Sequence, residues 1–241
     1  MSRIKPRLVF SRFSVFQWSG HLAALLILFV GIAAQAQNVD AGDDGSASTR
    51  ATSAEPIRQD SELGVTGLGS FGHYHIFANS WWSYLDMTQV EYDRHAWGYK
   101  LGARMDYSAS FAPMVLLWQP SKTDVWGNPL SKSHELVYGI GLAPIGLRMT
   151  WRSRKNVKPY LLVRGGGLMF DKKAVSQYAS YYNWSLEFGL GAQFRVTPSL
   201  DARIGFSDYH FSDAFMVPSN PGLDSMTYTC GLMYHLKPKS R

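Results

Sequence analysis

One cysteine, Cys230, stands among 241 residues. No intramolecular disulfide and no thiolate metal cluster can form, so stability has to come from packing and backbone pairing. The G-x-S-x-G elbow, the Walker loop, H-E-x-x-H and C-x-x-C are missing, which removes the familiar hydrolase, nucleotide and metal signatures. Sustained 3.6-residue spacing of apolar side chains is absent from Leu63 onward, and with it the case for a helical core. Positive charge is scarcer than it looks. The chain carries 24 Lys and Arg against 18 Asp and Glu, but Arg3, Lys5, Arg7 and Arg12 sit at the start with no acid beside them. The remainder holds 20 basic against 18 acidic residues, too even a balance for a nucleic-acid-binding face.

Those four basic residues open a secretory signal over residues 1–36. The apolar run His21 to Ala33 is too short for a comfortable membrane span, and Ala34-Gln35-Ala36 is an A-x-A cleavage site. A retained anchor would need a stop-transfer flank, which does not follow. Residues 37–62 are rich in Asp, Ser, Thr and Ala with almost no large apolar side chain, so they cannot bury enough surface to offset ordering entropy. They read as a disordered periplasmic leader.

What is present from Leu63 on is alternation with period two, the mark of a strand with unlike faces. From Trp97 to Phe111 the odd positions are Trp97, Tyr99, Leu101, Ala103, Met105, Tyr107, Ala109 and Phe111, against Lys100, Arg104, Asp106, serines and glycines between them. From Asn183 to Val196 the even positions Trp184, Leu186, Phe188, Leu190, Ala192, Phe194 and Val196 oppose polar residues and glycine. Leu200 to Phe206 and Met226 to Tyr234 keep the same even apolar face. Strands this long are unusual in a soluble sandwich. A second face of charge and glycine, with aromatics at the strand ends, fits a tilted membrane-spanning strand with a polar lumen and aromatic girdles.

The expectation is an all-β fold, an eight-stranded antiparallel transmembrane β-barrel over 63–236. Its strands fall near 63–72, 81–93, 97–112, 136–152, 158–171, 181–196, 199–212 and 223–236. Connections 94–96, 153–157 and 197–198 are short, while 73–80, 113–135, 172–180 and 213–222 are longer, the asymmetry of periplasmic turns and outer loops. In the fourth strand the apolar register jumps at Ala143-Pro144, from Leu136, Tyr138, Ile140 and Leu142 to Ile145, Leu147, Met149 and Trp151, which predicts a bulge. Residues 237–241 form a basic tail where many such barrels end on an aromatic.

Three polar groups invite a chemical reading. Arg164-Gly165-Gly166-Gly167 lacks phosphate-loop spacing and reads as glycines making room in a narrow barrel. His73 and His75 have no third ligand nearby in sequence and, like His134 beside Glu135, read as solvated loop histidines, so no metal is expected. His210 and Ser212 differ. Two apart on one strand, they share the even, lipid-facing side, and the 213–222 hairpin brings Asp224, also even, beside them. The set is that of a serine hydrolase: Ser212 as nucleophile, His210 as general base and then acid, Asp224 holding the imidazole tautomer. Asn220 and the hairpin amides near Gly222 are candidates to steady an oxyanion.

This segment resembles the PagL-type lipid A 3-O-deacylases of the outer membrane, often grouped as acyloxyacyl hydrolases. His210 and Ser212 match the family's base and nucleophile, Asn220 its later asparagine, and Asp224 the triad acid. Asn220-Pro221-Gly222-Leu223-Asp224-Ser225 and Gly141-Leu142-Ala143-Pro144-Ile145-Gly146 also look like family segments. Two positions depart: Asp213 follows the serine where the family has asparagine, putting an anion near the oxyanion, and Asp224 stands where the type enzyme has glutamate. The resemblance implies hydrolysis of an ester-linked acyl chain on lipid A, in lipopolysaccharide of the outer leaflet, without metal or organic cofactor. It leaves open whether two barrels pair as a homodimer. The competing expectation is a non-enzymatic small barrel with a structural or surface-interaction role; a narrow pore fits less well, since eight strands leave an interior about filled by side chains.

Overall fold

A computed structural model describes residues 61–73 and 82–236, with the backbone alone for residues 72 and 73. The signal 1–36, most of the leader, His75 and the tail 237–241 lie outside the described residues. Eight strands follow in chain order: β1 Ser61–His73, β2 Tyr84–Lys100, β3 Ala103–Pro120, β4 His134–Trp151, β5 Val157–Phe170, β6 Tyr182–Thr197, β7 Leu200–Ser212 and β8 Gly222–Leu236. Each pairs antiparallel with its sequence neighbour, and β1 pairs with β8 to close the barrel. Closure leaves no sheet edge, so every strand's backbone groups meet a partner. No helix occurs among the described residues.

Parity is as read over most of the sheet. On β6 and β7 the even residues Trp184, Phe188, Leu190, Ile204 and Phe206 are exposed, and odd residues such as Asn183, Glu187, Asp201, Arg203 and Phe211 are buried. With Leu63, Val65, Ile140, Leu142, Leu161 and Val163 also exposed, the outer wall presents far more contiguous apolar surface than water tolerates, as a transmembrane barrel does. The bulge in β4 is where the register jump put it: pairing with β5 shifts between Leu142 and Ile145, and the Tyr107 hydroxyl donates to the Pro144 carbonyl.

Three boundaries differ from the sequence reading. The second turn lies at Leu101-Gly102 and not at 94–96, so the alternating run from Trp97 to Phe111 spans two strands. A two-residue hairpin turn needs positive φ at both positions, and Leu101 and Gly102 have φ of 52° and 72°; period-two alternation carries no sign of that turn. β3 runs on to Pro120, taking residues 113–120 from the expected loop. The register with β4 shifts between Ala112 and Val115, so the Pro113 bulge re-phases the strand, and Val115, Leu117 and Gln119 then face inward. Finally, β1 begins at Ser61, and Glu62, expected in the leader, is buried inside the barrel.

The charged part of the interior lies towards the short turns. There Arg148 reaches Asp93 at 2.7 Å, Glu62 at 2.8 Å and Asp106 at 3.0 Å. Arg203 meets Asp93 at 2.9 Å and Arg164 meets Glu91 at 3.0 Å, while Lys158 pairs with Asp201. Towards the long loops, Leu68, Leu85, Met87, Leu117, Val137, Leu168, Phe170, Phe211 and Leu223 form an apolar cluster with Ala174 and Val175. Those last two come from the loop between β5 and β6, which tucks in as a cap. The expected polar lumen therefore holds for half its length.

Candidate active site

β7 and β8 build the site. His210 is the direct cross-strand partner of Asp224, and Ser212 that of Gly222. Partners in an antiparallel pair share a face, so the imidazole and carboxyl project from the outer wall side by side, with His210 Nδ1 and Asp224 Oδ1 2.6 Å apart. Asp224 is fully buried while His210 keeps 17% of its side chain exposed, so the acid is shielded and the ring edge is accessible. A short contact between an acid and a ring nitrogen in a screened site fixes both tautomer and orientation. Ser212 ends β7 on the same face, two residues beyond His210. Gly222 places no side chain opposite it.

The other candidates gather on the following hairpin. Asn220 is half-buried, and its Oδ1 has no hydrogen-bond partner. Gly222 is buried as the first residue of β8. Asp213 is fully buried; its Oδ1 accepts from the Phe215 N–H at 3.1 Å and its carbonyl from the Met216 N–H at 3.1 Å. Burial pushes its carboxyl pKa up, opposed by backbone N–H bonds from Phe215 and Ser180. Asp213 thus braces a turn in which Ala214 and Phe215 both have positive φ, at 51° and 61°. The Ser219 hydroxyl donates to the Tyr178 carbonyl at 3.1 Å, tying this hairpin to the β5–β6 loop.

Neighbours from β6 complete the wall: Trp184 is the cross-strand partner of Ser212, and Leu186 that of His210. Trp184 is half-exposed and packs edge-on against Tyr182, with centroids 5.3 Å apart. Sequence reading counted these side chains as strand face and not as site, although their parity and the short β6–β7 turn were signal enough. Asp208 precedes His210 by two residues on the same face of β7.

Elsewhere, His134, expected in a loop, instead opens β4 opposite Pro120 and stacks on Trp118, and Glu135 pairs with Lys172 at 2.6 Å. Of the glycines of Arg164-Gly165-Gly166-Gly167, two sit where no side chain fits: a Cβ on Gly166 would fall 2.0 Å from the Leu142 carbonyl oxygen and one on Gly167 would strike the Tyr182 ring, whereas one on Gly165 would meet nothing within 4 Å.

A family model described as lipid A 3-O-deacylase (PagL) matches residues 68–233. The chain belongs to the PagL family. His210, Ser212, Asp213, Asn220, Gly222 and Asp224 all lie within the matched span. Among solved structures, the outer membrane enzyme PagL is 15% identical over 71% of this chain and 97% of its own, with a TM-score of 0.47. Neisserial surface protein A (NspA) is 12% identical over 73% of this chain and 96% of its own, TM-score 0.41. OprG from Pseudomonas aeruginosa is 13% identical over 75% and 96%, TM-score 0.40. No curated protein matches the chain.

Proposed function

We propose that this PagL-family chain is an outer-membrane serine esterase that removes an ester-linked acyl chain from lipid A. The reading is carried by the His210–Asp224 contact of 2.6 Å on the lipid-facing wall, with Ser212 on the same face. Ser212 Oγ attacks the ester carbonyl while His210 Nε2 takes its proton, and Asp224 at Nδ1 stabilises the imidazolium. The amide of Asn220 and a hairpin N–H steady the tetrahedral oxyanion. Collapse expels the sugar oxygen, protonated by His210, and leaves an acyl-serine; water, activated by the same histidine, releases the fatty acid. A site on the outside of the barrel suits a substrate held in the surrounding leaflet. Residues 1–36 act as the export signal and 37–60 as the leader, with the long loops outside the cell.

Expression in an outer membrane followed by mass spectrometry of lipid A tests this. Loss of one acyl chain is expected, and Ser212→Ala should lower that loss by about 10⁴-fold or more while heat-modifiable gel migration stays that of a folded barrel. An unchanged acylation pattern with folded wild-type protein present sinks the proposal.

A further inference from the structure

A cavity of about 190 Å³ opens at the loop end of β3 and β4, between the β3–β4 loop and the β5–β6 loop. In the closed strand order it lies four strands from the β7–β8 pair that carries the esterase site. At roughly 30 Å³ per water it has room for one sugar ring. Its lining is mixed, with Pro120 and aliphatic stems beside the polar groups of Gln119, Ser121, Thr123, Glu135 and Lys173.

The frame is fixed before any ligand arrives. Gln119 is buried, donating from Nε2 to the Lys173 carbonyl at 3.0 Å and accepting the Val175 N–H at 2.6 Å. Those bonds pin the β5–β6 loop against β3. Thr123 is 1% exposed, and its Oγ1 has no hydrogen-bond partner. A buried hydroxyl left unsatisfied is costly and needs an explanation, and the residue that carries this one lines an open cavity of suitable size. Charge supplies the second criterion. Lys172 is paired with Glu135 at 2.6 Å, which leaves the Lys173 ammonium in excess. A lysine meets an anion as a point charge and does not discriminate carboxylate from phosphate by a planar fork.

We propose that this cavity is a carbohydrate subsite that takes one sugar ring bearing a single acidic group, carboxylate or phosphate. Thr123 and Ser121 meet ring hydroxyls, Gln119 holds the wall behind them, and Lys173 meets the acid. The inference needs the long loops outside the cell, as in the orientation above, but does not need the esterase chemistry.

Calorimetric titration of the full, folded chain in detergent micelles with glucuronate, glucose 6-phosphate and glucose tests it. At least one acidic sugar should bind about tenfold tighter than glucose. Lys173→Gln should remove that preference, and Thr123→Val should weaken all three. Ser212→Ala should leave these affinities unchanged, so a failed esterase reading and a failed subsite remain distinguishable. Displacement of the bound sugar by lipopolysaccharide aggregates would place the source in the membrane, and no displacement would place it in a soluble sugar; both support the subsite. No binding at about 10 mM, equal binding of all three sugars, or affinities indifferent to both substitutions would overturn it.

Discussion

Asp224 is one methylene shorter than a glutamate would be, yet its carboxylate lies 2.6 Å from the ring nitrogen of His210. Direct cross-strand pairing explains this, because the two Cβ atoms start close enough for the shorter acid to reach. In the proposed mechanism, Asp224→Asn removes the negative charge that would stabilise the imidazolium and permits the wrong tautomer. It is expected to lower acyl release about 10⁴-fold, read as the rate of lipid A product formation. Asp213 behaves differently. Its folded pKa stands above the ordinary 3.8 because of burial, so its contribution to stability is full below that value and is lost as pH rises through the folded pKa. Asp213→Asn should remove that loss. Urea midpoints taken in the acid range and at pH 8 should then fall less for the variant than for the wild type as pH rises.

At the scale of elements, the β4–β5 pair depends on the absence of a side chain. Leu142 and Ile145 flank the bulge on β4, and Gly166 of β5 passes so close that its Cβ would sit 2.0 Å from a backbone oxygen. Backbone cannot yield as a flexible side chain does. Gly166→Val should cost about 3 kcal/mol or more, the upper end of overpacking penalties, and appear as loss of the heat-modifiable folded band. Strand β3 shows the converse: its proline sits at a register shift and re-phases the strand without ending it, so the residues after it serve as strand and line the apolar half of the interior.

Across the whole molecule, the two halves of the interior are held by different forces. Near the turns, Arg148 joins carboxylates from β1, β2 and β3 through Glu62, Asp93 and Asp106, so one side chain ties four strands. Arg148→Ala leaves three buried acids around a missing cation and is expected to destabilise the barrel by about 3–5 kcal/mol, measured by urea unfolding in lipid vesicles. Near the loops, Phe211 packs against Phe170 with ring centroids 5.7 Å apart, under a cap made by Ala174 and Val175. Phe211 lies between His210 and Ser212 in the chain and points the opposite way. Its burial anchors the segment whose outward neighbours form the candidate site.

Much of this was legible in residue order, and the physical reason is the pleat. Alternation determines which side chains share a face, and so the transmembrane barrel, the common outward side of His210, Ser212 and Asp224, and the bulge at Pro144 followed from counting by twos. Counting by twos is blind to a turn that preserves the alternation, which is why the Leu101-Gly102 hairpin went unread. It is blind also to how far a strand continues past a proline, and to which inward residues meet across the lumen. Glu62 looked like leader because its partners, Arg104 and Arg148, are distant in sequence. The contact between His210 and Asp224, the turn braced by Asp213 and the cavity beside Thr123 were decided only when closure of the sheet and folding of the loops set residues from separate strands within bonding distance.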